Sequence, residues 1–227
     1  MIQVENIETM NFAAAIRGMR NPMNSWAKSD TADVTGHCSE CEDFGLRCIK
    51  TTHCPVIYDV GTADLDLMQR LAAAGPEHRK FMRQIFVSMD ITAPLYWWKE
   101  FDTYKVGTTA NSCSTMHKLT AKRFTLKDFS TDHIEPECTH VITTVIAALN
   151  EIRDEYLKTN DKGLWYTMVQ LLPSSYNQRR TVTMTYENAF NIIQQRSGHK
   201  LQEWLDFVNV LLGLPYMGDL ANVQKGS

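Results

Sequence analysis

Apolar residues recur three and four positions apart over long stretches of this chain, a spacing that places them on one face of an α-helix. The clearest stretch runs from Thr139 to Lys158. The same spacing predicts further helices over 7–20, 63–74, 163–172, 187–196 and 199–212. Asn21 and Pro22 follow the first of these segments and Gly75 follows the second, and such residues commonly end helices.

Two shorter segments show the two-residue alternation of β-strands. Residues 85–91 are rich in β-branched and aromatic side chains, and residues 180–186 alternate threonine with valine and methionine. Pro94 suits the first turn of a helix, which is predicted over 93–104. We therefore predict an α+β fold that is dominated by helices and contains few strands.

Composition and charge narrow the class of protein. The 227 residues are 44% hydrophobic and 22% charged, with a net charge of −3, which is ordinary for a globular protein with a sizeable core. A basic excess that would favour nucleic acid as the main partner is absent. No apolar run approaches the roughly 20 residues of a membrane helix, and the N-terminus lacks a signal-peptide pattern. We expect a cytoplasmic protein.

Four of the six cysteines fall within one polar segment, at Cys38, Cys41, Cys48 and Cys54. Thiolates two residues apart can reach one tetrahedral Zn²⁺, and the later pair can complete four ligands. We therefore predict a structural zinc site in a Cys-rich insert at 37–62, between an N-terminal helix and loop at 1–36 and a main domain at 63–227. An iron–sulfur cluster and free thiols are the alternatives.

Polar groups follow the aromatic helix predicted at 93–104. After Gly107, hydroxyl and amide side chains come in close succession, at Thr108, Asn111, Ser112 and Ser114. Such groups suit a ligand rich in oxygen atoms. Further on, Arg179 and Arg180 precede the second predicted strand and Arg196 ends a helix. Arginines at the ends of elements can bind phosphate through paired hydrogen bonds.

The order of these segments resembles that of the flavin-dependent thymidylate synthases. The shared order is strand, Ala-Pro, aromatic helix, polar motif, long helix, Leu-Pro, arginine, strand, and a helix ending in arginine. It covers roughly residues 64 to 212, and includes Ala93-Pro94, Leu172-Pro173 through Arg180, and Asn191-Ile-Ile-Gln-Gln-Arg196. The resemblance implies the fold of thymidylate synthase complementing protein, with a small antiparallel sheet.

The resemblance also implies roles for individual residues. Four are assigned to FAD: His78, Lys105, Asn111 and Asn191. Five are assigned to the substrate nucleotide: Thr108, Ser112, Ser114, Arg179 and Arg196. The two arginines would be the catalytic residues, because they would stabilise charge that develops on the pyrimidine. A folate, a nicotinamide reductant and assembly as a homotetramer are implied in the same way.

The chain departs from the family signature, which is Arg-His-Arg-x-x-Ser-x-Asn-Glu-x-Ser-x-Arg. Thr103, Tyr104 and Lys105 stand at its first three positions. With one residue inserted, Ser112 replaces the glutamate and Met116 replaces the last arginine. The lost charges normally hold flavin and polarise the pyrimidine, and Lys105 keeps a positive charge without an arginine's fork.

Three functions are compatible with these observations. The first is flavin-dependent transfer of a one-carbon group to C5 of a pyrimidine nucleotide, from dUMP to dTMP or in a related modification. The second is a nucleotide-binding or interaction protein of the same fold that has lost catalysis and keeps a structural zinc site. The third is a small metal module that contacts nucleic acid, against which the near-neutral charge counts.

Overall fold

The computed structural model describes residues 2–33, 58–114 and 118–222. Cys38, Cys41, Cys48 and Cys54 lie outside these ranges, as does Met116, so the zinc site and the boundaries of the Cys-rich insert stay predictions. Across the described ranges, no three His, Cys, Asp or Glu side chains are grouped in a way that could hold a metal ion. In the same ranges, no helix is long and apolar enough to cross a membrane.

The described residues form helices at or near most of the predicted positions. In chain order they are α1 (Phe12–Arg20), α2 (Thr62–Ala73), α3 (Leu95–Phe101), α4 (Thr139–Thr159), α5 (Lys162–Leu171), α6 (Tyr186–Arg196), α7 (Gln202–Leu212) and α8 (Met217–Ala221). Short 3₁₀ turns connect several of them, among them Lys80–Arg83. The helix-dominated α+β class is therefore confirmed.

Four strands form one sheet, in the order β1 (Gln3–Met10), β4 (Phe86–Pro94), β6 (Asn177–Thr185) and β5 (Thr108–Ser112). Two short strands, β2 (Ala32–Asp33) and β3 (Tyr58–Asp59), pair separately and antiparallel. Beyond one end of β4, the Tyr186 amide donates to the Ile85 carbonyl, and beyond the other end, the Leu95 amide donates to the Tyr176 carbonyl. From one hydrogen bond to the other, the residue number rises on the side of β4 and falls on the side of β6, so the two strands are antiparallel. An antiparallel sheet was predicted.

The first helix begins later than the sequence predicts. The apolar spacing indicated a helix over 7–20, but residues up to Met10 form β1 and the helix starts at Phe12. Asn11 has φ 74°, a left-handed conformation that separates the two elements. Ile7 and Met10, which suggested helical spacing, are 39% and 41% exposed on the strand. Pairing with β4 therefore overrides the local pattern.

Two further boundaries differ around Pro94. The strand β4 continues through Pro94, and α3 ends at Phe101 instead of Tyr104. The polar segment predicted as a turn contains β5, whose exposed residues pair along one edge of β6. The aromatic residues of α3 pack in the core, as Trp97 and Phe101 are buried and stacked with ring centroids 5.0 Å apart.

The described residues divide into two compact units. The first comprises Met1–Gln3, Ile91–Thr103 and Ala110–Thr181, and the second comprises Val4–Asp90, Tyr104–Thr109 and Val182–Ser227. A cluster of buried side chains forms a core in the first unit: Leu119, Phe124, Phe129, Ile142, Ile146, Leu149 and Met168. In the second unit α6 packs against α7, and the edge of Phe12 contacts Tyr186 with ring centroids 5.3 Å apart. The division of the chain into three domains stays a prediction.

Candidate functional site

The helix α6 presents polar side chains on more than one face within the second unit. It follows β6 directly, and its N-terminus is capped by the Thr185 hydroxyl, which accepts from the Asn188 amide at 3.2 Å. Asn191 and Arg196 are five positions apart, which turns their side chains about 140° away from each other around the helix axis. The two residues that the sequence assigns to flavin and to nucleotide therefore face different surroundings.

A cavity of about 300 Å³ lies in the second unit beside α6. Its lining comes from the end of α2, the turn that follows it, α6 and α8: Ala72, Ala73, Gly75, Pro76, Arg79, Phe190, Asn191, Gln194 and Leu220. This volume lies at the low end of the range for small-molecule pockets. The cavity can therefore hold a small ligand or part of a larger one.

Arg79 is fixed in the wall of this cavity. Its Nε donates to Glu187 Oε1 at 3.1 Å and its Nη2 donates to Asn191 Oδ1 at 3.2 Å. The guanidinium carbon lies 4.8 Å from the ring centre of Phe190. Arg79 is only 13% exposed, so these contacts hold a partly desolvated cation at one position.

Glu187 anchors a second arginine as well. Arg83 Nε donates to Glu187 Oε2 at 2.5 Å. Burial raises the pKa of the Glu187 carboxyl, but hydrogen bonds from Arg83 and Arg79 outweigh it and leave the pKa below its ordinary value. The carboxylate is therefore charged near neutral pH and holds both guanidinium groups.

The contact with Arg79 also sets the orientation of the Asn191 amide. Because Oδ1 accepts from Arg79, the NH₂ group forms the other end of the side chain. Arg79 and Asn191 therefore give this cavity hydrogen-bond donors. A fitting ligand carries acceptors, such as carbonyl or phosphate oxygens.

Arg196 lies in an aromatic cluster at the other end of α6. Its Nε donates to the phenol oxygen of Tyr104 at 2.9 Å, and its guanidinium carbon lies 4.5 Å from the ring centre of Trp204. The Tyr104 hydroxyl donates in turn to Gln195 Oε1 at 3.0 Å. Tyr104 and Trp204 thus hold one guanidinium between a hydrogen bond and a π face.

The segment that carries Tyr104 continues along α6. Asn188 Nδ2 donates to the Val106 carbonyl at 2.6 Å and to Thr108 Oγ1 at 2.7 Å. Gly107 has φ +74°, and an added Cβ would meet Asn188 Nδ2 at 3.3 Å. Thr108, assigned to the substrate from the sequence, is therefore fixed against α6, and its hydroxyl hydrogen can still donate.

Two other predicted residues in the second unit lie at the surface. His78 and Lys105 are both exposed. The His78 amide donates to the Gly75 carbonyl, which places the imidazole in the turn that also positions Arg79. Within this unit, the structure brings Asn191 together with Arg79, and Arg196 together with Tyr104.

The remaining predicted residues lie in the first unit. Asn111 and Ser112 are exposed on β5, and Ser114 is half-buried just beyond it. The amide of Cys113, between the two serines, donates to the Arg179 carbonyl at 2.9 Å. Arg179 itself is exposed within β6 and does not precede that strand, as the sequence had suggested.

Arg180 also lies within β6 and does not precede it, and its guanidinium is held by contacts with three other side chains. Its Nη1 donates to Asp102 at 2.7 Å, its Nε donates to Gln178 at 2.9 Å, and its guanidinium lies 4.1 Å from the Trp98 ring centre. Arg180 and Gln178 share one face of β6 because they are two residues apart. This alternation was the available signal that Arg179 and Arg180 point in different directions.

The sequence reasoning missed Arg79 and Glu187. Arg79 directly follows His78, which the resemblance selected, and nothing in the local pattern separates it from its neighbours Lys80 and Arg83. Glu187 and Asn191 are four apart, which places both on one face of a helix and was the usable signal.

Comparisons with known proteins agree with this fold. No family model matches the sequence, and no curated protein matches it. Among solved structures, the chain is similar to the flavin-dependent thymidylate synthase ThyX from Helicobacter pylori complexed with FAD and dUMP, with a TM-score of 0.66, 15% identity and 98% of each chain covered. A second crystal structure of ThyX from the same organism, also with FAD and dUMP, gives a TM-score of 0.65, 16% identity and 97% coverage of each chain.

The chain therefore has the fold of the flavin-dependent thymidylate synthases over almost its whole length. The resemblance inferred from the order of segments is confirmed at the level of the fold. At 15 and 16% identity, the roles of individual residues stay predictions.

Proposed function

We propose that this protein is a divergent flavin-dependent thymidylate synthase-like enzyme. It binds FAD and a pyrimidine nucleotide and transfers a one-carbon group to C5 of the pyrimidine, from dUMP to dTMP or in a related modification. The observation that carries the proposal is the likeness in fold, over 98% of both chains, to a protein complexed with FAD and dUMP.

The residues around Asn191 fit a flavin dinucleotide. The cavity of about 300 Å³ offers donors from Arg79 and Asn191, and FAD carries acceptors on its diphosphate and on its ring carbonyls. When bound, reduced flavin supplies a hydride, which no side chain can supply. His78, Lys105 and Asn111 are further candidates for contacts with the cofactor.

The protein's own part is to bind and orient the nucleotide. We assign Arg196 and Arg179 to contacts that neutralise negative charge on the nucleotide. Thr108, Ser112 and Ser114 offer hydroxyl groups for its carbonyl oxygens. Tyr104 limits the freedom of Arg196, so this guanidinium loses less conformational entropy when a ligand binds.

Several partners follow from the same proposal. A folate is the expected one-carbon donor and a nicotinamide nucleotide the expected reductant. We also propose a homotetramer, in which residues from several chains complete each site. A cytoplasmic location and a structural zinc in the Cys-rich insert complete the proposal.

A second candidate function is nucleotide binding without catalysis. The observation that favours it is the replacement of the signature Arg-His-Arg by Thr103, Tyr104 and Lys105, together with Ser112 in place of its glutamate. These changes remove charges that would act on the pyrimidine, whereas Arg196, which we assign to the nucleotide, is retained. Binding of dUMP would then survive while transfer of the one-carbon group is lost.

One experiment separates the two functions. Purified protein is incubated with FAD, dUMP, a methylene-folate and a nicotinamide reductant, and thymidylate is measured by chromatography. The proposed enzyme forms thymidylate or another C5-modified nucleotide, and omission of FAD prevents this. Protein that binds dUMP in a calorimetric titration but yields no modified nucleotide supports the second function. Protein that binds neither FAD nor dUMP contradicts both.

A further inference from the structure

We propose that Arg79 is a binding residue for the diphosphate of the flavin dinucleotide. It supplies, from the turn before β4, a guanidinium that the signature segment at 103–105 no longer provides. The inference deepens the proposed function and depends on it, because it names the part of the cofactor that the cavity beside α6 receives.

The first support is the geometry of the guanidinium. Of its five N–H donors, one on Nε contacts Glu187 and one on Nη2 contacts Asn191. The side chain is 13% exposed and lines the cavity, and its remaining donors can serve a ligand there. A planar fork of this kind matches two phosphate oxygens.

The second support is the charge around the cavity. Among the described residues that line the cavity, Arg79 is the one charged side chain. An anionic group is therefore favoured over a neutral one.

The third support is the set of contacts that hold Arg79 in place. Glu187 fixes Arg79 from one side and Phe190 covers the guanidinium at 4.8 Å. The Asn191 amide, oriented by Arg79, adds its own NH₂ donors to those of Arg79. Donors that are held in place before binding reduce the entropy lost on association. The sequence places this cation next to His78, the residue that the family resemblance assigns to flavin.

Arg83 provides a matched control. It also donates to Glu187, and in addition to the Pro76 carbonyl, but it is 45% exposed. Replacing Arg83 removes one arginine from the same carboxylate without removing a donor from the cavity lining. If the Glu187 ion pairs served the fold alone, both replacements would leave the affinity of the folded protein for FAD and ADP unchanged.

The test compares wild type with Arg79→Met, Arg79→Lys and Arg83→Met. Dissociation constants for FAD, ADP and riboflavin are measured by fluorescence and calorimetry, and circular dichroism and thermal melting check that each variant is folded. We expect Arg79→Met to weaken the binding of FAD and of ADP by about 10- to 100-fold, the range for charge-assisted hydrogen bonds. The dissociation constant for riboflavin, which has no phosphate, should change by less than about 2-fold. In Arg83→Met, the dissociation constants for all three ligands should also change by less than about 2-fold. Arg79→Lys should fall between wild type and Arg79→Met.

The outcomes distinguish this inference from the proposed function. If wild type binds FAD and Arg79→Met binds FAD and ADP equally well, the inference is wrong and the proposed function survives. An equal loss of riboflavin and ADP also overturns it. If wild type binds no FAD but binds ADP in a manner that depends on Arg79, the diphosphate site is supported and the flavoenzyme proposal fails. If wild type binds neither, both fail.

Discussion

The Nε of Arg196 lies 2.9 Å from the phenol oxygen of Tyr104, the residue that the sequence resemblance aligns with the histidine of the family signature. The same phenol donates to Gln195 and so links two neighbouring residues at the end of α6. Tyr104 therefore fixes the side chain of Arg196, which we assign to the nucleotide.

Tyr104→Phe tests whether this contact matters for binding. The ring remains, so packing against Trp204 is retained, but Arg196 loses the hydrogen bond to the Tyr104 phenol. We expect dUMP affinity to fall by about 10- to 100-fold while thermal stability changes little, because hydrogen bonds to charged groups contribute about 1.5 to 3 kcal/mol. Isothermal titration calorimetry measures the affinity. Tyr166→Phe, at a half-exposed tyrosine of α5, is the control, and unchanged affinity in Tyr104→Phe would show that Tyr104 does not position Arg196.

Arg196→Ala should abolish measurable dUMP binding and leave the protein folded. The guanidinium is the part of Arg196 assigned to the nucleotide, and its removal takes away a charged donor without opening a large cavity. Arg70→Ala is the control, because Arg70 forms an exposed pair with Asp66 one turn away. Binding of dUMP by folded Arg196→Ala with wild-type affinity would contradict the assigned nucleotide site.

The buried pair of Arg20 and Asp64 gives a prediction about stability. Arg20 Nε donates to Asp64 Oδ1 at 2.6 Å, and the two side chains are 5% and 0% exposed. Asp64→Asn leaves the guanidinium without a compensating charge, and we expect it to lower the free energy of unfolding by about 3 to 5 kcal/mol. Asp66→Asn breaks an exposed pair on the same helix and should cost less than about 1 kcal/mol. Urea unfolding measures the free energy of unfolding of both variants. Equal losses in Asp64→Asn and Asp66→Asn would contradict the prediction.

Glu187 predicts how stability depends on pH. Burial raises the pKa of its carboxyl, but the two arginines lower this pKa by more than burial raises it. The pKa in the folded state is therefore below the ordinary value of 4.5. Stability from this group is therefore complete above the ordinary pKa and is lost as the pH falls through the lower folded-state value. The difference in unfolding free energy between wild type and Glu187→Gln should shrink as the pH falls from about 6 to about 3. A difference that is constant over this range would show that the ion pairs do not stabilise the fold.

Much of the fold could be predicted because the pattern of apolar residues agrees with the structure. The apolar spacing over 139–158 matches α4, and the order of segments identified the fold class. The strand β1 could not be predicted, since Ile7 and Met10 mimic helical spacing while pairing with β4 decides the structure. The edge strand β5 also could not be predicted, because its residues are polar and mostly exposed and so resemble those of a turn.

The candidate site was less predictable, because its geometry depends on contacts between residues far apart in the chain. Resemblance selected Asn191, but the cation beside it is Arg79, which lies 112 positions away in sequence. The sequence shows Tyr104 as a departure from the signature, but its contact with Arg196 depends on the positions of both α6 and the segment after α3.

The most direct test of the central claim is an absorption spectrum of the purified protein, recorded alone, after addition of FAD, and after removal of unbound FAD by gel filtration. We predict a retained flavin band near one FAD per chain, with a further spectral shift when dUMP is added. Complete loss of the flavin band on the column, with no change on addition of dUMP, would contradict the account.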